Sequence, residues 1–189
     1  MDPSTSFKIT VVQGAPAFDD KSTKLAADAL IAELREVVDG SEIAHHRLVD
    51  FRLIGGASFD VGSSRFSPAD QFFALAESMI RADVTIFVTR VTGCSVPDAN
   101  TIRAIERSVA SNKLPRSVAF LVIGDPEQYE DPTLVLGALL VGLVRRGVRV
   151  LGNGIACWRH NENEMNRDRV GQLVNAVKEA AKRKGQGRE

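Results

Sequence analysis

Residues Phe7 to Leu34 read FKITVVQGAPAFDDKSTKLAADALIAEL, and the rest of the chain is organised around them. Phe7 to Gln13 is a short apolar run rich in β-branched residues, the pattern of a buried strand. Gly14 ends it. A loop with Gly, Pro and two Asp follows, and Ser22 or Thr23 stands where a helix would be capped. Leu30, Leu34, Val37 and Val38 then recur at i, i+4, i+7 and i+8, one face of a helix. A strand, a Gly-started loop and a Ser/Thr-capped helix leave bare backbone N–H groups at a helix N-terminus, a favourable place for a phosphate.

The same alternation continues outward. Glu42 to Phe51 reads as a second strand, imperfectly alternating and suited to a sheet edge. Leu53 to Pro68 is a long Gly/Ser/Asp-rich connection, of the kind that forms lids or oligomer contacts as readily as idle surface loops. Pro68 suits a helix first turn, and the helix runs from Asp70 to Arg81. It buries Phe72 or Phe73, Leu75 or Ala76, and Met79 or Ile80. Asp83 to Thr89 (DVTIFVT) is nearly continuous in apolar residues, as a strand covered on both faces must be. The loop RVTGCSVPDAN leads to a helix over Ala99 to Ala110, with Ile102, Ile105 and Val109 on one face. Ser117 to Ile123 is another buried strand. The loop GDPEQYEDP, a helix from Thr133 to Arg146, a last strand from Val148, and a helix from Glu164 to Lys184 complete the chain. That last helix turns Met165, Val170 or Leu173, Val174 and Val177 inward. Five strands alternating with five helices predict one domain over residues 1–189, a three-layer α/β/α sandwich on a parallel sheet.

Composition bounds the function. Lys+Arg and Asp+Glu both number 24, so no global charge attracts nucleic acid or an anionic membrane. No apolar run reaches the roughly 20 residues that cross a bilayer, and MDPSTS at the start lacks a secretory apolar segment. The expected location is cytoplasmic. Cys94 and Cys157 form neither a CxxC pair nor a metal-finger spacing, so neither a metal site nor a disulfide is expected. The basic ending AKRKGQGRE reads as a frayed helix end whose cations suit the helix dipole. His45 and His46 fall on the second strand, one facing in and one out. Asn161 or Asn163 caps the last helix, and Arg145 and Arg146 suit a helix C-terminus.

In open α/β sheets ligands bind beyond the carboxyl ends of the strands. That rule selects three loops, Gly14–Ser22, Arg90–Asn100 and Gly124–Asp131. Their sequences, ITVVQGAPAFDDKSTKLAADAL, ADVTIFVTRVTGCSVPDANTIRAIER and SVAFLVIGDPEQYEDPTLVLGALLVGLVRRGVRVLG, resemble the flavodoxin-like NADPH-dependent FMN reductase family and its iron–sulfur flavoprotein relatives. The resemblance implies a five-stranded parallel sheet of order 2-1-3-4-5, bound FMN, and NAD(P)H as co-substrate. It puts phosphate contacts on Gly14, Ala15, Pro16, Ser22 and Thr23, with Lys21 offsetting Asp19 and Asp20. Ring and ribityl contacts fall on Thr89, Arg90, Val91, Thr92, Gly93, Cys94 and Ser95, and on Gly124 and Asp125, with Tyr129 as a stacking ring. Val91 and Val96 wall the ring. A homodimer or homotetramer completes the site, and the acceptor is a small molecule such as a flavin, quinone or nitroaromatic.

The chain departs from the family pattern. Ala15 stands in place of the usual Ser, Phe18-Asp19-Asp20 in place of a basic residue, Arg90 in place of Pro, and Thr92 in place of the ring-flanking aromatic. The four-cysteine cluster motif is missing. No catalytic side-chain set is required when the flavin carries the chemistry. Two other readings compete: a flavodoxin-like domain that has lost FMN and serves as a binding or interaction module, and a transferase or hydrolase using Asp98, Asp125 or Glu127 as acid or base.

Overall fold

A computed structural model describes residues 6–14, 21–51, 53, 71–92, 96–124, 136–159 and 163–187. The elements are β1 (Lys8–Gln13), α1 (Lys21–Val37), β2 (Glu42–Arg47), a 3-10 turn (Leu48–Asp50), α2 (Phe72–Arg81), β3 (Val84–Thr92), β4 (Val96–Pro97), α3 (Ala99–Ala110), β5 (Ser117–Gly124), α4 (Leu136–Val144), β6 (Arg149–Arg159) and α5 (Asn163–Gly185). The five long strands are parallel in the order β2-β1-β3-β5-β6, so counting those strands alone the order is the expected 2-1-3-4-5. The two-residue β4 adds a short antiparallel pairing on β3, Val91 opposite Pro97.

Strand periodicity divides the core in two. Ile9, Val11, Ile86, Val88, Leu121 and Ile123 point to one face, where Leu30 and Leu34 of α1 and Val174 and Val177 of α5 cover them. Val12, Phe87, Phe120 and Val122 point to the other, under α2 and α3, with Leu143 of α4. Each such fully buried large side chain contributes roughly 1.5–3 kcal/mol of transfer free energy. Phe87 and Phe120 stack across adjacent strands, with centroids 5.4 Å apart and planes at 17°.

Several boundaries differ from the sequence reading. β2 ends at Arg47 because the chain coils into the 3-10 turn, whose Leu48 drops into the core instead of extending the strand. It is nevertheless the edge strand. α2 buries Phe72, both Leu75 and Ala76, and Met79, and leaves Phe73 and Ile80 exposed. The buried face of α3 is Thr101, Ala104, Ile105 and Ser108, with Ile102 and Val109 half-buried at its sides. β3 runs three residues beyond Thr89, so Arg90, Val91 and Thr92 belong to a strand. β6 carries an irregularity. Val118 aligns with Val150 but Phe120 aligns with Ile155, and Gly152 within the intervening segment takes φ +68. A left-handed φ of that kind suits glycine.

His45 and His46 both lean on protein, from opposite faces of the edge strand. His45 Nε2 lies 3.0 Å from Gln13 Oε1, and His46 Nε2 lies 2.8 Å from Ser78 Oγ. Near the basic end of α5, Lys184 is tied to the strand starts. Lys184 Nζ lies 2.8 Å from Asp83 Oδ2 and donates to the Ser6 carbonyl at 3.2 Å. The Leu53–Pro68 connection, apart from the buried Leu53, lies outside the described residues, as do Pro68, Cys94 and Asn161. Asn163 is the first residue of α5. Among the described residues no helix is long and apolar enough to cross a membrane, and no group of three or more His, Cys, Asp or Glu side chains is arranged to hold a metal ion.

Candidate functional site

The sheet order fixes where a crevice opens. From β1 the chain crosses to β2 on one side and later returns to β3 on the other, so the loops after β1 and β3 part in opposite directions. The switch point at their carboxyl ends is the crevice of a doubly wound sheet. Gly14 continues the β1 ladder, its N–H donating to the Val88 carbonyl at 2.7 Å. In the first described turn of α1 Lys21 is exposed and Ser22 and Thr23 are buried. The helix already includes Lys21, so Ser22 and Thr23 are first-turn residues and not its cap. That turn holds no carboxylate, and α1 is 17 residues long. Its N–H groups and the dipole of a long helix favour an anion there.

One side chain joins the two strand ends. Asp98, 4 % exposed, is the N-cap of α3. Its Oδ1 accepts the N–H groups of Asn100 at 3.1 Å and Thr101 at 3.0 Å. Its Oδ2 accepts the Thr89 hydroxyl at 2.6 Å and the Thr101 hydroxyl. The Asp98 N–H donates to the Arg90 carbonyl at 3.1 Å. Four donors on one buried carboxylate satisfy it completely. This overturns Asp98 as an acid or base: the group is occupied in holding β3 to α3. Gly14 is part of the same arrangement. A Cβ at Gly14 would lie 2.6 Å from Thr101 Oγ1, 3.1 Å from Asp98 Cγ, and closest of all to Asp98 Oδ2. Glycine is therefore demanded there by the Asp98 carboxylate.

The remaining expected residues divide by placement. Thr89 is fully buried with its hydroxyl on Asp98, and Val91 is fully buried in the core beneath α2 and α3, so neither side chain faces the crevice. The reading of Val91 as a ring wall is corrected accordingly: alternation along β3 turns it to the α2/α3 side. Arg90, half-buried on the opposite face, belongs to the strand. Thr92 ends β3, and Gly124 ends β5 opposite Arg159. Ala15, Pro16, Gly93, Cys94, Ser95, Asp125 and Tyr129 lie outside the described residues, as do Asp19, Asp20 and Glu127. Of the side chain of Val96 nothing is described.

Gly14, Thr89 and Thr101 converge on Asp98, and Lys21, Ser22 and Thr23 stand in the first described turn of the helix that follows β1. In donor chemistry this set, helix-terminal N–H groups beside hydroxyls and an ammonium, fits a phosphate-bearing group such as FMN. Sequence reasoning missed the role of Asp98, although Asp98-Ala-Asn-Thr101 before an apolar-periodic segment is a capping signal.

No protein-family model matches the sequence, and no curated protein matches it. Solved structures do match its fold. RosB, solved with the bound intermediate 8-demethyl-8-formylriboflavin-5'-phosphate, superposes with a TM-score of 0.76 over 97 % of this chain and 82 % of its own, at 16 % identity. An NADH:FMN oxidoreductase, EmoB, solved in its apo form, gives 0.61 over 93 % and 89 %, at 17 % identity. The NAD(P)H:quinone oxidoreductase from Methanothermobacter marburgensis gives 0.62 over 92 % and 98 %, at 12 % identity. Flavodoxins also match, among them one from Bacillus cereus. The fold is flavodoxin-like, and its structural neighbours include flavin oxidoreductases as well as flavodoxins.

Proposed function

We propose that the chain is an FMN-dependent NAD(P)H oxidoreductase that passes reducing equivalents to a small acceptor such as a flavin, quinone or nitroaromatic. The observation that carries this reading is the first described turn of α1, with Lys21, Ser22 and Thr23, on the long helix that follows β1 of a flavodoxin-like sheet. FMN, when bound, supplies the two-electron chemistry. The chain supplies the rest. The N–H groups of the α1 first turn, together with Lys21, hold the phosphate. Arg90 and Thr92 at the end of β3 with Gly93 to Ser95 after it, and Gly124 at the end of β5 with Asp125 and Tyr129 after it, flank the ring and exclude water. Asp98 keeps the β3 end in register with α3, so the loop springs from a rigid base. Thr89 and Val91 serve that base through their buried side chains.

A homodimer or homotetramer that completes the site across a subunit contact belongs to this reading, as does a cytoplasmic location with no nucleic-acid or membrane partner. The test is visible absorbance of the protein as purified, and again after FMN is added and the excess removed. Flavin bands near one FMN per chain, bleached by NADH or NADPH, are expected. A colourless protein that takes up no FMN at high concentration refutes the oxidoreductase reading and leaves a flavodoxin-like binding module.

The likeness to RosB favours a second reading, in which a flavin phosphate is the substrate and not the resident cofactor. Mass spectrometry of flavin released after turnover separates the two. Unaltered FMN supports the first reading, and a modified ring supports the second.

A further inference from the structure

The opposite end of the sheet carries a second concavity. It has a volume of about 210 Å³ and is lined by Phe7, Asp83, Val84, Arg116, Ser117, Arg149, Ala180, Arg183 and Lys184. These residues lie where β1, β3, β5 and β6 begin and where α5 ends. The length of β3, 9 residues, or about 30 Å at 3.3 Å per residue, separates this edge from the switch point.

We propose that this cleft binds a compact multivalent oxyanion, a small phosphorylated or polycarboxylate molecule. Four of its lining side chains are cationic and one is anionic, in a chain whose total charges balance at 24 and 24. The single carboxylate is already occupied. Asp83 Oδ2 accepts the Lys8 N–H at 2.8 Å and faces Lys184 Nζ at 2.8 Å. The surplus therefore includes the guanidinium groups of Arg149 and Arg183. Arg149 and Arg183 make no ion pair or side-chain hydrogen bond with any described residue. The nearby Glu179 pairs with Lys182 at 2.6 Å, and Arg183 acts on it only through longer-range attraction.

Convergence of like charges is destabilising unless something offsets it, and helix-dipole compensation explains only part of the cluster. Arg183 and Lys184 sit in the last turn of α5, where cations suit the dipole. Arg116 and Arg149 do not. They come from the start of the sheet, held together by the Arg149 N–H donating to the Arg116 carbonyl at 3.3 Å and by the Ser117–Arg149 register. The frame behind them is rigid: Lys184 bridges Asp83 and the Ser6 carbonyl, and its ammonium lies 6.0 Å from the Phe7 ring centroid. Phe7, Val84 and Ala180 give the cleft an apolar floor. Guanidinium forks on such a floor match the oxygens of phosphate or carboxylate bidentately. A concave site of this size favours a small molecule over the extended backbone of a nucleic acid.

The test is isothermal titration of the full chain with inorganic pyrophosphate and, separately, citrate, at low and high salt. The double variant Arg149→Gln/Arg183→Gln is compared with the unaltered protein. Saturable binding of either probe, weakened about tenfold or more in the variant and by salt, is expected. Amide NMR shifts at Arg116, Ser117 and Arg149 should accompany it. The probe that binds more tightly identifies the oxyanion. Flavin binding at the other end of the sheet should be equal in both proteins, which separates this proposal from the oxidoreductase reading. Absence of saturable binding at millimolar probe, equal affinity in the variant, or binding of a single-stranded oligonucleotide without either small anion overturns it.

Discussion

Gly14→Ala is the change whose consequence follows most directly from the coordinates. The new methyl would fall on Asp98 Oδ2 and 2.6 Å from Thr101 Oγ1, below any real Cβ contact. The carboxylate has to swing away. It then loses the hydroxyls of Thr89 and Thr101, bonds to a charged group that contribute about 1.5–3 kcal/mol each. It also weakens the α3 cap, typically worth about 1 kcal/mol. Against this, replacing Gly by Ala restricts the unfolded chain and returns about 0.4–1 kcal/mol. Partial relaxation leaves a net loss of about 3 kcal/mol, a large share of the roughly 5–15 kcal/mol that holds a domain folded. Equilibrium urea unfolding reads it directly: with a slope near 2 kcal/mol/M, the midpoint falls by about 1.5 M. The mechanism has its own control. In an Asp98→Ala/Thr101→Ala background the three nearest atoms are gone, so the same change should cost much less. A midpoint that barely moves in the native background, or an equal loss in both, refutes the account.

Other outcomes follow from single contacts. Thr85 is fully buried and its hydroxyl has no hydrogen-bond partner among the described residues, so Thr85→Val should raise stability by about 1 kcal/mol in the same assay. Phe120→Ala removes half of the Phe87 stack from a fully buried position and should cost about 3–5 kcal/mol. Lys184→Met unties α5 from Asp83 and Ser6, and should speed amide exchange in the last turns of α5 with little effect on the sheet centre. Burial holds both His45 and His46 below the ordinary imidazole value. The unfolded chain therefore takes up protons first. Stability is full above the unfolded value, about pH 6.5, and is lost as pH falls through it toward the lowered folded values. The urea midpoint should drop on acidification through that window, and His45→Gln/His46→Gln should flatten the drop.

The element order and sheet were legible because β3 and β5 are covered on both faces and read as short, continuous apolar runs rich in β-branched residues. The helix faces were less so. Thr101 and Ser108 take buried positions on α3 that a hydrophobicity pattern gives to Ile102 and Val109, because Thr101 is drawn inward by Asp98 and the Ser108 hydroxyl donates to the Ala104 carbonyl at 2.8 Å. Arg107, 3 % exposed with its guanidinium 4.7 Å from the Phe72 ring centroid, is equally invisible to such a pattern. At the candidate site the sequence located the strand ends and the α1 first turn, which are local features. It did not reveal that Gly14, Thr89 and Thr101 share one carboxylate. Nor did it gather Arg116, Arg149 and Arg183, which only sheet register and the reach of α5 bring together.

The irregularity in β6 also bears on how this chain tolerates changes in length. Between the Val118–Val150 and Phe120–Ile155 alignments, β6 holds more residues than β5, with Gly152 in the slack. A residue gained or lost there alters the size of the bulge and leaves the downstream pairs, from Phe120–Ile155 to Gly124–Arg159, in frame. The same change after Ile155 would slide every later pair by one position. Insertions and deletions should therefore be accepted around Gly152 and rejected beyond Ile155, so that the far end of β6 stays aligned with the end of β5 while the segment before it drifts in length.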